Sequence, residues 1–353
     1  MTKHPNPSRR GFLSTTAVGL GAVAELALMG AARAQTAQST TGSPSSGSTS
    51  STASFGALRQ IDAGLLNVGY AEVGPANGPV VVLLHGWPYD IHSFVEVAPL
   101  LAAAGYRVIV PHLRGHGSTR FLSKDTFRNG QQSAVALDII ALLDALKIRK
   151  AVFAGFDWGA RTADIVAALW PERCEALVSV SGYLIGNREA IKATVLPPAA
   201  EYAWWYQFYF ATDHGRAGYE QDRHEFAKLI WRTASPKWAF DDAVFARSAA
   251  SLDNPDHIDI VIHNYRWRQS LADGERTYDD MERRLAAGPL IAVPTVVLEG
   301  DANGAPHATG DAPFRKKFSG KYDYRVISGG IGHNLPQEAP GAFAQAVIDV
   351  ARA

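Results

Sequence analysis

The chain has 353 residues, of which 47% are hydrophobic, so it is long enough for one large core with an inserted subdomain or for two modest domains. Its 34 lysines and arginines balance its 34 aspartates and glutamates, which argues against nucleic acid or an anionic membrane as a partner held by long-range charge. The single cysteine, Cys174, excludes an intramolecular disulfide and a cysteine-based metal cluster. A small-molecule substrate fits this composition better.

Residues 1–34 have the composition of an export signal. A basic start is followed by a mostly apolar stretch of small residues and by an Ala-Arg-Ala cleavage pattern at 32–34. The run 8–13, Ser-Arg-Arg-Gly-Phe-Leu, resembles the twin-arginine motif of bacteria, which exports proteins that have already folded. We therefore expect export to the periplasm, with membrane contact only through this signal. An uncleaved membrane anchor is the alternative, which Glu25 and the glycines of the stretch disfavour.

Residues 35–56 consist almost entirely of Ser, Thr, Gly, Ala and Gln, a composition that predicts a flexible tether. From 57 to 353, short apolar runs alternate with stretches of helical periodicity, the pattern of an α/β fold with a mostly parallel sheet covered on both faces. The predicted strands are 80–84, 107–110, 151–154, 176–180, 295–298 and 324–327, and the predicted helices are 94–104, 133–146, 161–169 and 340–353.

The alternation stops between about 186 and 290, where no strand signal appears and aromatic residues are frequent. Because this segment is inserted between two predicted strands, it predicts a helical cap, or lid, over a cavity. Aromatic clusters are also common in protein cores, so the position of the segment carries the prediction. An aromatic lid favours a small apolar or aromatic ligand. The aromatic residues are Trp204, Trp205, Tyr206, Phe208, Tyr209, Phe210, Trp231, Trp238, Tyr265 and Trp267.

The strongest local motif lies at 155–159, directly after an apolar strand and directly before a helix. Gly155 and Gly159 each stand two residues from Asp157, which is the spacing of a nucleophile elbow. The glycines permit a tight strand-to-helix turn that lifts the central side chain above the sheet edge. Asp157 is therefore a candidate nucleophile. The alternative is that Asp157 only caps the following helix, a common position for aspartate.

Two further motifs favour the nucleophile over the helix cap. The run 85–88, His-Gly-Trp-Pro, follows another central strand, where this architecture places the loop that supplies an oxyanion-hole amide. The backbone N–H groups of Trp87 and Trp158 are the candidate donors. His333 follows the last predicted strand and comes last in the chain order of nucleophile, acid and histidine, so it is the candidate among eleven histidines for activating water.

These motifs resemble the α/β-hydrolase superfamily and, within it, the epoxide hydrolase branch, over about 57–353. The run 85–88 is similar to the HGxP motif of that branch, and 155–159 is similar to its Gly-x-Asp-Trp-Gly elbow. Within the lid, Tyr206 and Tyr265 match the two places where the family keeps proton-donating tyrosines. The resemblance implies hydrolysis through a covalent alkyl-enzyme ester, with no metal or organic cofactor.

The leaving group separates two chemistries that share an aspartate nucleophile. A carboxylate with a pKa of about 4 attacks carbon without a base at neutral pH. An epoxide oxygen leaves as a basic alkoxide and benefits from a general acid, whereas a halide needs only N–H donors. Tyr206 and Tyr265 therefore favour an epoxide and a vicinal diol product. A haloalkane or haloacid dehalogenase is the second hypothesis, and a binding protein with impaired turnover is the third.

The expected acid of the catalytic triad is where this chain departs from the family. The family places it three residues after the glycine that ends the strand 295–298, and Asn303 holds that position. We expect Asp301, two residues earlier, to orient His333 instead. The alternatives are the amide of Asn303 and, as a distant third, Glu189. An amide can hold the histidine tautomer but cannot stabilise an imidazolium, and in serine proteases such a change costs about 10⁴ in turnover.

Overall fold

The computed structural model describes residues 54–308 and 310–353, and it places a nine-stranded sheet at the centre of the fold. The strands lie in the order β1-β2-β4-β3-β6-β7-β8-β9, with β5 paired to β2. Their bounds are β1 Arg59–Ala63, β2 Leu66–Val73, β3 Val80–Leu84, β4 Arg107–Pro111, β5 Arg120–Phe121, β6 Ala151–Gly155, β7 Cys174–Val180, β8 Thr295–Gly300 and β9 Tyr322–Ile327.

Helices cover the sheet and form an insertion between β7 and β8. The helices that cover the sheet are α1 Val97–Ala103, α2 Gln132–Ala145, α3 Trp158–Leu169, α11 Leu335–Glu338 and α12 Pro340–Ala351. Those of the insertion are α4 Arg188–Ala193, α5 Pro198–Ala203, α6 Trp205–Ala211, α7 Asp213–Ala234, α8 Asp242–Ala249, α9 His257–Arg268 and α10 Asp279–Ala286. Short 3-10 turns occupy Ile91–Phe94, Pro171–Arg173, Ala250–Asp253, Arg276–Tyr278 and Arg315–Lys317.

The predicted α/β fold with an inserted helical cap is confirmed. The predicted strands and sheet-covering helices are present, with ends that differ by a few residues. The predicted signal and all but the last three residues of the predicted tether lie outside the described residues, so export stays a prediction. Within the described part of the chain, no helix is both long enough and apolar enough to cross a membrane.

The register of the sheet brings the functional motifs together. Strands β3, β6, β7 and β8 pair in parallel, so their carboxyl ends share one edge of the sheet. Leu84 at the end of β3 pairs with Gly155 at the end of β6. The loop that starts at His85 therefore lies beside the turn that carries Asp157. The central strands read as continuous apolar runs because helices bury them on both faces.

Gly159 gives a direct test of this packing. A Cβ atom at Gly159 would lie 1.9 Å from the Leu84 carbonyl oxygen, whereas a Cβ at Gly341 on α12 would meet nothing within 4 Å. We expect Gly159→Ala to lower the free energy of unfolding by about 2–4 kcal/mol, because strand and helix must separate. Gly341→Ala, the control, should change it by less than about 1 kcal/mol. Urea unfolding measures both, and equal stabilities for the two variants would contradict the packing.

Candidate active site

Asp157 lies at the turn between β6 and α3, and its backbone has a conformation that residues other than glycine rarely adopt. Its φ is 54° and its ψ is −123°, which is the strained geometry of a nucleophile elbow. The carboxylate makes no capping hydrogen bond to α3. The interpretation of Asp157 as a plain helix cap is therefore wrong for its side chain, which points away from the helix.

The loop after β3 holds the nucleophile from one side. The backbone N–H of Trp87 donates to Oδ1 of Asp157 over 2.8 Å. This contact requires Gly86, because a Cβ there would lie 2.3 Å from the Cβ of Asp157. The amide of Trp158 belongs to the first turn of α3, where helix geometry leaves N–H groups without an intrahelical acceptor. Both predicted oxyanion-hole donors thus lie at the elbow.

A buried relay of hydrogen bonds fixes the Trp87 side chain. Its indole N–H donates to the hydroxyl of Tyr219 over 2.9 Å, and that hydroxyl lies 2.8 Å from Nε2 of His257. The other ring nitrogen of His257 lies 2.8 Å from the Gly115 carbonyl oxygen, to which only an N–H can donate. His257 is therefore neutral, with its proton on Nδ1 and with Nε2 accepting from Tyr219.

His333 reaches Asp157 from the loop after β9. Its Nε2 lies 3.3 Å from Oδ2 of Asp157, and its Nδ1 lies 3.2 Å from Oδ1 of Asn303. Each ring nitrogen thus faces an acceptor oxygen in the free enzyme. Once Asp157 is esterified, its carboxylate no longer holds Nε2, which is then available to take a proton from water while Nδ1 donates to Asn303.

The structure corrects the preference for Asp301 as the partner of His333. Its exposed carboxylate accepts from the backbone N–H groups of Gly329, Gly330 and Ile331, at 3.1, 2.8 and 2.9 Å. Asp301 thus stabilises the turn after β9, and the loop directs Asn303 toward the histidine instead. Glu189, the third choice, lies on α4 and lines a different cavity.

A carboxylate, that of Glu299 near the end of β8, lies next to the side-chain amide of Asn303. The Nδ2 group of Asn303 lies 3.4 Å from Oε1 of Glu299, and Nε2 of His307 lies 2.7 Å from the same oxygen. Burial works to lower the pKa of His307, but the hydrogen bond and charge of Glu299 outweigh it and raise that pKa. Sequence reasoning missed this buried pair. A charged residue inside the apolar run of β8 was the available signal.

Tyr206 and Tyr265, the proton donors that the family resemblance implies, pack against each other in the lid, and of the two only Tyr206 is among the residues that line the cavity with Asp157. Their ring centroids are 5.5 Å apart, and each ring also packs against Trp87. Burial raises the pKa of both phenols, and the charge of Asp157 raises it further. Both side chains are therefore protonated at neutral pH and have a proton to donate.

Asp157 itself is ionised. Burial works to raise its pKa, but the interactions with His333, the charge of Arg161 and the Trp87 amide outweigh burial and hold that pKa below its ordinary value. The carboxylate faces a cavity of about 330 Å³ beneath the lid, lined mainly by apolar and aromatic side chains. Arg161 and Arg268 also line it, and neither was predicted from the sequence. The signal for Arg161 was its position one helical turn after Asp157.

The described residues contain no group of three or more His, Cys, Asp or Glu side chains that could hold a metal ion. The arrangement instead provides a nucleophile, two amide donors, a histidine for water and two phenols.

Comparisons with known proteins identify the family and the fold. The family described as the alpha/beta hydrolase fold matches residues 79–233. A crystal structure from Klebsiella pneumoniae, of a protein provisionally assigned as an epoxide hydrolase, is 60% identical, covers 85% of this chain and 98% of its own, and has a TM-score of 0.83. Epoxide hydrolase A of Mycobacterium tuberculosis is 25% identical over 82% of this chain and 96% of its own. An epoxide hydrolase structure from Vigna radiata, at 21% identity and a TM-score of 0.65 over 84% of this chain and 98% of its own, shares the fold.

The buried histidines near the Trp87 loop predict an acid-sensitive fold. Burial is the largest cause that lowers the pKa of His85, His116 and His257, in the case of His116 to about 4. A histidine whose pKa is lower in the folded than in the unfolded chain supports folding above about pH 6.5, and this support is lost as the pH falls toward the folded value. We expect the free energy of unfolding to fall between about pH 6.5 and pH 4.

The matched test compares two glutamine variants by urea unfolding across this pH range. His116→Gln should flatten the acid slope by up to about 1.4 kcal/mol per pH unit, because one proton less is taken up on unfolding. His214→Gln, at an exposed position on α7, should keep the wild-type slope. Equal slopes for all three proteins would contradict the prediction.

Proposed function

Because the chain belongs to the α/β-hydrolase superfamily, in its epoxide-hydrolase-like branch, we propose that it opens epoxides to vicinal diols through an ester on Asp157. The observation that carries the proposal is the position of the Asp157 carboxylate, held between the Trp87 amide, His333 and two protonated lid phenols.

The first step forms the ester. One carboxylate oxygen of Asp157 attacks an epoxide carbon, and the bond from that carbon to the ring oxygen breaks. The ring oxygen takes a proton from Tyr206 or Tyr265 as it leaves, so no free alkoxide develops. A buried phenol with a raised pKa still carries its proton at neutral pH and can donate it.

The second step releases the diol. Nε2 of His333 takes a proton from water, and the hydroxide attacks the carbonyl carbon of the ester. The negative charge that forms on the ester oxygen lies within reach of the Trp87 and Trp158 amides. Collapse of this intermediate breaks the bond to the alcohol, which takes the proton from His333 and leaves Asp157 as a carboxylic acid. The acid then loses its proton, and the phenolate formed in the first step takes one up through solvent, so the Asp157 carboxylate and the tyrosine both return. Asn303 keeps the histidine ring oriented throughout, with Glu299 behind it.

Halide chemistry is the second candidate, and the indole groups of Trp87 and Trp158 bear on it in different ways. A departing halide needs N–H donors, but the indole N–H of Trp87 is donated to Tyr219. The indole N–H of Trp158 is buried without a hydrogen-bond partner among the described residues, so this donor is compatible with a halide, although Trp158 does not line the cavity. The lid phenols, which a halide does not need, favour the epoxide. A pure binding protein remains the third candidate because Asn303 replaces the usual acid.

The proposed function is tested by trapping the ester. His333→Gln should still form it but hydrolyse it at least about 10²-fold more slowly, because no base activates the water. After incubation with styrene oxide, intact-mass spectrometry should show one added substrate mass on this variant, and peptide mapping should place it on Asp157. Wild type and His214→Gln should instead release phenylethanediol. Halide release from haloalkanes without diol formation, or the absence of any adduct, would contradict the proposal.

The lid phenols are tested by single and double phenylalanine variants. Tyr206→Phe and Tyr265→Phe should each slow ester formation, and the double variant should lose about 10² or more because no proton donor is left. Stopped-flow tryptophan fluorescence of single turnovers measures ester formation separately from its hydrolysis. Tyr324→Phe, on β9 and outside the lining of the cavity, is the control. Unchanged ester formation in the double variant would refute the acid role.

A further inference from the structure

The cavity beneath the lid carries an unbalanced positive charge. Its lining includes one carboxylate, Asp157, but two guanidinium groups, Arg161 and Arg268. The proposed chemistry uses neither arginine directly. Both side chains are half-buried, and they come from different parts of the fold, α3 of the hydrolase body and the last residue of α9 in the lid.

Among the described residues, neither guanidinium forms a salt bridge with an acidic side chain, although the charge of Asp157 acts on Arg161. Arg268 instead lies over the rings of Trp204 and Tyr265, at 5.8 Å from each centroid. On the same helix Arg266 pairs with Asp213 over 3.0 Å. The lid therefore pairs Arg266 with an acidic side chain, whereas Arg268, which lines the cavity, has no such partner among the described residues.

The acidic groups near the cavity do not cancel its positive charge. Burial and the neighbouring charge of Arg268 lower the pKa of Arg161 to about 10, so Arg161 stays protonated at neutral pH. Asp157 offsets one of the two guanidinium charges. Burial raises the pKa of Asp164 to about 8, so this carboxyl is mostly neutral. Glu299 is already paired with His307. One positive charge is left in a cavity with mainly apolar walls, where an unpaired charge is costly.

We infer that Arg161 and Arg268 form an anion subsite, and that the natural substrate carries a carboxylate beside its reactive carbon. A guanidinium presents paired N–H donors that match the two oxygens of a carboxylate. The aromatic walls would hold the apolar body of the same molecule. Taken with the proposed function, on which this substrate class rests, the substrate is an epoxide with a carboxylate group. A role of Arg161 only in keeping Asp157 ionised would give no preference for anionic ligands.

Binding of unreactive ligands tests the subsite without any turnover. The ligands are 3-phenylpropanoate and its neutral isostere 3-phenylpropanamide, titrated into the full-length protein by calorimetry at low salt. We expect the carboxylate to bind at least about 10-fold more tightly, since charge-assisted hydrogen bonds are the stronger ones. Arg161→Gln and Arg268→Gln should each remove most of this preference, and Arg268→Lys should retain part of it. Arg284→Gln, at an exposed site on α10, should retain all of it.

Turnover separates failure of the subsite from failure of the proposed function. The substrates are 3-phenylglycidate and 3-phenylglycidamide, compared by kcat/KM for diol formation. Preference for the acid in both binding and turnover supports the subsite. Preferred binding of the carboxylate without diol formation from either epoxide supports the subsite and refutes the proposed function. Equal binding of acid and amide, or a preference that survives both glutamine variants, overturns the subsite even if neutral epoxides are hydrolysed. Circular dichroism confirms that each variant is folded.

Discussion

The contact between the Trp87 amide and the Asp157 carboxylate joins the two strand ends on which the site depends. It spans 2.8 Å and requires β3 and β6 to be neighbours in the sheet, with Gly86 between loop and elbow. It also requires the strained backbone of Asp157, since an ordinary helix start would turn the carboxylate toward its own helix. The surrounding structure maintains this strain: Gly159 packs against β3, and the Tyr219–His257 relay holds Trp87 from the lid side. The packing of the fold therefore determines the position of the Asp157 carboxylate.

Because Asn303 replaces the usual acid, the side chain of Asn303 separates His333 from the carboxylate of Glu299. The Asn303 amide group donates to the hydroxyl of Ser181 over 3.2 Å and to Glu299 over 3.4 Å, and Glu299 also pairs with His307. Such an arrangement fixes the tautomer of His333 as well as a carboxylate would. It stabilises a protonated His333 less, because the charge is both more distant and shared. Ester hydrolysis, rather than ester formation, is accordingly the step that this departure affects.

Sequence reasoning predicted those features that packing forces into local patterns. Strands such as β3 and β8 are buried on both faces and appear as apolar runs, and the elbow needs glycine at Gly155 and Gly159. Strands β1 and β2 were missed for different reasons. β1 lies at the edge of the sheet and is largely exposed, whereas β2 is mostly buried but Asn67, Gly69 and Glu72 interrupt its apolar run. Asp301 and Asn303 belong to one loop, and spacing alone does not determine which side chain the loop turns toward His333. Arg268 reaches the site through lid packing, which no local pattern encodes.

The covalent ester on Asp157 is the central claim, and one isotope measurement tests it most directly. With enzyme in excess over epoxide in H₂¹⁸O, a single turnover takes the new diol oxygen from the Asp157 carboxylate. The account predicts a diol without ¹⁸O after this first turnover and one ¹⁸O in the carboxylate of Asp157, seen by peptide mass spectrometry. A diol that carries ¹⁸O in the first turnover, with an unlabelled Asp157, would mean that water attacks the epoxide directly and would contradict the account.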